Sequence, residues 1–213
     1  MDCMEMMAEF PDNHFDLAVV DPPYGIGFSG HDQIISSKGK GATFKKGSLY
    51  EKKDWDNEHP SADYFTELKR VSKDQIIWGG NYFTDNLQPT KSWIFWYKEP
   101  NTANLTFSDG ELAWTSLSKP TRQISIPWIG FGMLNSGEKK QHPTQKPVKL
   151  YDWIFANYAE KGMKILDTHL GSMSSAIACH YAGMHLTGCE LDEDYFKAGC
   201  ERVQRETRQL TFL

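Results

Sequence analysis

The chain has 213 residues, 39% hydrophobic, 24% charged and 13% aromatic, with 17 glycines and 10 prolines. That is globular composition: it excludes wholesale disorder and a collagen-like fibre, and a chain of this length buries roughly 70% of the surface its unfolded form exposes. Lys and Arg number 23 against 28 Asp and Glu, a net charge of -5, which on an even spread would disfavour nucleic acid as a partner.

The N-terminus, Met1-Asp2-Cys3-Met4-Glu5, has no basic region ahead of an apolar run, and no stretch of about 18 apolar residues occurs, so a soluble, cytoplasmic protein is expected. The first element is a buried strand, Asp16-Leu17-Ala18-Val19-Val20, stopped by Asp21-Pro22-Pro23. Gly25 to about Pro60 lacks periodicity and reads as a long loop, a length that is usually functional or mobile. From Ser61 to Val71 the positions Tyr64, Phe65, Leu68 and Val71 have helical spacing, and Gln75 to Trp78 is a strand closed by Gly79-Gly80.

Three further strands are expected at Ser92 to Tyr97, Glu111 to Thr115 and Gln123 to Trp128. After Pro147 comes an amphipathic helix, Val148 to Tyr158, then a strand, Met163 to Asp167, an Ala-rich helix, Ser172 to Ala182, and a strand, His185 to Glu190. The last helix starts near Asp192, whose carboxylate can cap it. The alternation predicts a single α/β domain over residues 1–213, a mostly parallel, doubly wound sheet with helices on both faces. Cys3, Cys179, Cys189 and Cys200 show no C-x-x-C spacing, so reduced thiols are expected and no metal site.

The charge is not evenly spread. Lys38, Lys40, Lys45, Lys46, Lys52 and Lys53 stand against the single acid Glu51, and Lys119, Arg122, Lys139, Lys140, Lys146 and Lys149 against Glu138. Two basic zones on an otherwise acidic scaffold suit phosphate contact, which depends on local charge; the plainer reading is a pair of solvated lysine-rich loops.

Two strand ends carry chemistry. Asp167-Thr168-His169-Leu170-Gly171-Ser172 is a strand, a tight glycine turn and a helix start, and about twenty residues on a strand ends at Glu190-Leu191-Asp192. In a doubly wound sheet such a turn approaches a ligand closely and the later carboxylates can bond ribose hydroxyls, which points to an adenosine-bearing cofactor; an ordinary turn is the structural alternative. Asp21-Pro22-Pro23-Tyr24-Gly25 is more specific. Two prolines rigidify the turn and remove two N–H donors, so the Asp21 carboxylate and Pro22 carbonyl can accept both hydrogens of an exocyclic amino group, with the Tyr24 ring as a stacking face. Two acceptors activate an aromatic amine, whose lone pair is otherwise delocalised.

Asp-Pro-Pro-Tyr together with the strand-turn-helix site resembles the amino-group DNA methyltransferases that use S-adenosylmethionine and act on adenine N6 or cytosine N4. The catalytic tetrapeptide precedes the cofactor motif, the circularly permuted order of that family's β group. Asp2-Cys3-Met4-Glu5, His142-Pro143-Thr144-Gln145-Lys146-Pro147, Ile76 to Tyr82 and Ser92 to Trp96 are similar to its further motifs, so the resemblance spans the chain. It implies a Rossmann-like methyltransferase fold, catalysis by Asp21, Pro22, Pro23 and Tyr24, and no metal. It also implies a cofactor held by Asp2, Cys3, Asp21, Pro22, His142, Thr144, Lys146, the run Asp167, Thr168, His169, Leu170, Gly171, Ser172, and Glu190, Leu191, Asp192. Met173 stands where the family often has a second glycine, and Thr168-His169 where Pro-Phe is common; His169 either flanks the cofactor or makes an ordinary turn hydrogen bond.

The implied substrate is a base flipped out of double-stranded DNA. A mobile basic loop at about 29–60, with Lys38, Lys40, Lys45 and Lys46, would close on phosphates, and Lys119, Arg122, Lys139 and Lys140 would line a small target-recognition region at about 119–141, with Asn135 and Ser136 reading bases. Asp at the first motif position favours adenine over cytosine. The resemblance also implies a prokaryotic or phage source and leaves room for a homodimer and a cognate restriction endonuclease. Other readings are an RNA or protein amide methyltransferase, a non-catalytic DNA-binding subunit and a dinucleotide dehydrogenase; motif order, the intact Asp21 to Tyr24 and the missing glycine fingerprint argue against them in turn.

Overall fold

A computed structural model of the chain describes residues 1–27, 56–99, 108–128, 136–138 and 141–208. Most of the expected basic loop, including Lys38, Lys40, Lys45 and Lys46, and also Asn135, Lys139 and Lys140 of the second basic zone, lie outside the described residues.

Among the described residues the apolar runs form one seven-stranded sheet: β1 (Phe15–Val20), β2 (Ser72–Trp78), β3 (Trp93–Tyr97), β4 (Gly110–Thr115), β5 (Arg122–Ser125), β6 (Lys164–Asp167) and β7 (His185–Gly188), in the order β5-β3-β4-β2-β1-β6-β7. β2, β1, β6 and β7 are mutually parallel. β4 runs antiparallel to both β2 and β3, so β3 and its parallel partner β5 point the same way as β1. Six strands therefore end at one rim of the sheet, and β4 begins there.

Leu17 to Val20 are all buried, as a parallel strand covered on both faces requires. Side chains alternate between two cores. Leu17, Val19, Ile76, Trp78 and Ile165 pack with Leu150, Ile154 and Phe155 of helix α3 (Val148–Tyr158) and Ala178 of helix α4 (Ser174–Ala182). Ala18, Val20, Ile77 and Leu166 pack on the other face with Phe65, Leu68 and Val71 of helix α2 (Ala62–Val71) and Met6 and Met7 of helix α1 (Cys3–Ala8). Helix α5 (Glu193–Thr207) follows β7 and is capped by Asp192, which accepts the N–H groups of Asp194 and Tyr195.

Several boundaries differ from the sequence reading for identifiable reasons. Residues 3–8 form a helix, an element the sequence reading did not place; Asp2 is its N-cap and accepts from the N–H groups of Met4 and Glu5. α4 starts at Ser174 and not Ser172, since Met173 adopts a left-handed backbone with φ of 59°. A side chain there costs about 1–2 kcal/mol of strain. Packing offsets it: Met173 is buried against Gly199 of α5, where a Cβ would come within 2.7 Å of the Met173 Cγ. β7 ends at Gly188 and β5 at Ser125, short of Glu190 and Trp128.

From β1 the chain crosses through α2 to β2 on one side, and from β6 through α4 to β7 on the other. The strand order thus reverses between β1 and β6, the place where open α/β sheets bind ligands, outside the carboxyl ends of the strands.

Candidate active site

A cavity of about 490 Å³ lies at that reversal point. Asp21 and Pro23 line it from the end of β1, Thr168, His169, Leu170, Gly171 and Ser172 from the end of β6, and Cys189, Glu190, Leu191 and Asp192 from the end of β7. Asp2 and Cys3 close it at the start of α1, and His142, Thr144 and Lys146 in the segment leading into α3. Met1, Gln145, Tyr151, Ser174 and Tyr195 add to the wall without having been singled out in the sequence. Two residues expected there are not in the wall, Pro22 and Asp167.

The segment after β1 is held by one carboxylate. Asp56, 3% exposed, accepts the N–H groups of Tyr24 at 2.8 Å and Gly25 at 3.1 Å. The Tyr24 ring lies on Tyr82, with centroids 5.0 Å apart and planes 18° apart, and close against Gly79. Gly79 has φ of 69°, and a Cβ there would meet the Tyr24 ring at 2.2 Å, so only glycine fits.

Four charged side chains, Asp21, Lys146, Glu111 and Lys98, form one linked cluster. Lys146, only 3% exposed, places Nζ 2.5 Å from Asp21 Oδ2 and 3.0 Å from Glu111 Oε2, and donates to the Tyr24 hydroxyl at 3.3 Å. The Tyr24 hydroxyl donates to Asp21 Oδ1 at 2.8 Å, and Lys98 pairs with the other oxygen of Glu111. Glu111 and Lys98 come from the start of β4 and the end of β3, and reach the rim because β4 runs backwards. Burial pushes the Asp21 carboxyl above its ordinary range against the pull of Lys146. Burial acts on Glu111 in the same sense, but Lys146 and Lys98 overcome it and hold Glu111 at about 2. For Lys146 burial favours the neutral amine, and Asp21 and Glu111 outweigh it and carry the ammonium above its usual value.

The glycine turn after β6 is gripped from behind. Glu190 accepts the Gly171 N–H at 2.8 Å through one oxygen and the Asp192 N–H at 2.9 Å through the other. Arg202 of α5, fully buried, donates to the Ser172 carbonyl at 3.0 Å, to Ser174 Oγ at 2.9 Å and to Glu138 Oε2 at 2.8 Å, while Glu138 Oε1 accepts the Val148 N–H at the start of α3. His169 is neutral, its imidazole pushed down to about 4 by burial, with Nδ1 2.9 Å from Thr168 Oγ1.

Asp167 is 2% exposed and supports the turn from below: it accepts from Ser175 Oγ at 2.6 Å and from the His169 N–H at 3.1 Å. Burial raises its carboxyl from 3.8 to about 7, and the hydrogen bonds only partly offset this. Since the folded value exceeds the unfolded one, Asp167 stabilises the fold fully below about pH 4 and that contribution, about 4 kcal/mol, is lost as pH rises through 7. Thermal unfolding from pH 5 to 8 is expected to show a midpoint that falls with pH, and a shallower fall in Asp167→Asn; equal slopes would contradict this role.

Lys119 and Arg122 lie away from the Asp21 rim. Both had been grouped with the recognition region, but Arg122 opens β5, opposite Ile94, and β5 points toward the rim, so Arg122 sits at the far end of the sheet. Lys119 donates to the Asn157 carbonyl near the end of α3 and lies over the Tyr158 ring. A strand of five residues, roughly 16 Å, separates these cations from the Asp21 end.

A family model for N6/N4 methylases, described as DNA methylase, matches residues 72–201, more than half of the chain. The chain belongs to this DNA methylase family. The methylase is 27% identical to the putative methylase YubD of Escherichia coli (strain K12) over 98% of its own length and 91% of that protein, and 25% identical to the type II methyltransferase M2.MboI of Moraxella bovis over 96% and 86%. Its fold is similar to that of M1.HpyAVI in complex with SAM (TM-score 0.60, 18% identity, 95% of this chain and 96% of that one). It is similar also to the PvuII DNA methyltransferase, cytosine-N4-specific (TM-score 0.58, 14% identity, 97% and 89%).

Proposed function

We propose that this methylase transfers a methyl group from S-adenosylmethionine to the N6 amino group of an adenine flipped out of double-stranded DNA. The observation that carries the reading is Asp21, which follows β1 and lines the cavity with its carboxylate fixed by Tyr24 and Lys146.

The cavity fits the cofactor in size and in donor set. About 490 Å³ is within the range of cofactor sites. Leu170, Leu191 and Cys189 offer apolar surface to a purine, Asp2, Glu190 and Asp192 offer carboxylates to amino and hydroxyl groups, and Ser172 and Ser174 stand at the start of α4. Bound there, S-adenosylmethionine supplies an electrophilic methyl group on a sulfonium.

Asp21 and the Pro22 carbonyl accept the two amino hydrogens and draw the nitrogen lone pair out of the ring. The lone pair forms the N–C bond as the S–C bond breaks with its electrons going to sulfur, and one amino proton leaves by way of the Asp21 carboxylate to solvent. The remaining requirement is alignment of nitrogen with the methyl carbon. The basic residues Lys38, Lys40, Lys45, Lys46, Lys139 and Lys140 suit phosphates beside the flipped base, by charge alone. Adenine is favoured because the first motif residue is Asp, where cytosine N4 enzymes more often carry Ser.

The test is transfer of tritiated methyl to unmethylated DNA of varied sequence, followed by digestion to nucleosides. Label in N6-methyladenine is expected. Label in N4-methylcytosine would overturn the base assignment, and no label on any DNA would overturn the activity.

A further inference from the structure

We propose that Lys146 and Glu111 form a buried ion-pair relay that positions and charges Asp21 for methyl transfer, and that Lys146 does not serve as a cofactor ligand. This inference rests on the function proposed above.

An ammonium has three N–H donors and no acceptor. The three groups around Lys146 Nζ, namely Asp21 Oδ2 at 2.5 Å, Glu111 Oε2 at 3.0 Å and the Tyr24 hydroxyl at 3.3 Å, account for all of them. The nitrogen also lies over the Trp78 and Tyr24 rings, 5.3 and 5.7 Å from their centroids, so although Lys146 lines the cavity its donors are already engaged. Lys146 holds Oδ2 of Asp21 while Tyr24 holds Oδ1, so the carboxylate plane is fixed and each oxygen keeps a lone pair for an incoming N–H.

Glu111 has a separate task. If Lys146 faced Asp21 alone, the ammonium would cancel the negative charge that the reacting amine needs as it turns cationic. With Glu111 sharing Lys146, and Lys98 pairing with Glu111, two cations and two anions leave the site neutral overall and Asp21 a usable anion. A buried charge left without its partner is costly, which is why such a group must be built as a set. Among the described residues, Tyr24, Tyr151 and Asp167 are further ionisable groups that face this cluster.

Glu111→Gln and Lys146→Met give opposite signatures. Removing Glu111 takes a negative neighbour from Asp21, so the acid limb of the kcat–pH profile is expected to move to lower pH, with kcat down about 100-fold and KM for DNA and for S-adenosylmethionine nearly unchanged. Removing Lys146 takes away the cation, so the acid limb moves to higher pH, again with a fall in kcat, and Lys146→Arg restores part of it. A ¹³C carboxyl titration of Asp21 in the same variants is expected to move in the same two directions and needs no turnover. Limbs or titrations that stay in place, or move together, would overturn the relay, as would loss of cofactor binding by calorimetry in Lys146→Met with kcat retained. An inactive wild-type chain would fall on the proposed function, and the titration would still decide whether Lys146 and Glu111 set the charge of Asp21.

Discussion

Asp21→Asn is expected to lower the rate of methyl transfer about 1,000-fold while binding S-adenosylmethionine with near wild-type affinity. The substitution keeps the shape of the side chain but replaces an oxygen acceptor by an NH₂ donor. A correctly placed amine then meets a donor, and the nitrogen attacks with its lone pair still delocalised. The rest of the cavity wall is untouched, because the turns after β6 and β7 that form most of it are held by Glu190, Arg202 and Asp167 and not by Asp21. Lys146 keeps Glu111 as a counter-ion, so the variant folds. Single-turnover transfer and calorimetric titration of cofactor separate the two quantities. A variant that transfers methyl at the wild-type rate would remove Asp21 from the chemistry, and one that loses cofactor binding equally would make it a binding residue.

The second large effect is on stability. Arg202→Met is expected to destabilise the protein by about 3–5 kcal/mol and to lower the unfolding midpoint by roughly 10 °C. Arg202 is fully buried, and its guanidinium joins α5 to the Ser172 carbonyl, to Ser174 and to Glu138. Methionine fills much of the volume but leaves Glu138 with its charge and one fewer partner. Burial already pushes the Glu138 carboxyl up against the pull of Arg202, and without that pull it rises further. The loss reaches the cavity, because Ser172 and Ser174 are in its wall, so weaker cofactor binding is expected to accompany the lower midpoint. A midpoint within a degree or two of wild type, in a melt followed by circular dichroism, would show that the cluster contributes little.

The elements that a local pattern encodes were legible in the chain. The apolar run ahead of Asp21, the helical spacing of Tyr64, Phe65, Leu68 and Val71, and the strand-glycine-helix turn at Gly171 each appear where their periodicity or turn chemistry puts them. α1 was missed because six residues are too few to show a period, although Asp2 followed by Glu5 carries the N-cap signature. Glu111, Lys98, Asp56 and Arg202 could not be read, since the partners through which they shape the site lie between 13 and 87 residues away and are brought together only by the fold. The end of the sheet at which Lys119 and Arg122 lie could not be read for the same reason: a basic cluster in sequence does not say which end of a strand it occupies.

The direction of the strands has one more consequence. The chain leaves the sheet at the Asp21 rim after β1, β2, β3, β5, β6 and β7, whereas Ser116 to Thr121 and Ala159 to Met163 are short turns at the opposite end. The described residues that line the cavity come from these connections and from the segments beside them. Substitutions in those segments are therefore expected to change what the rim binds while both packed cores stay intact, whereas a change within β1, β2 or β6 reaches both cores at once.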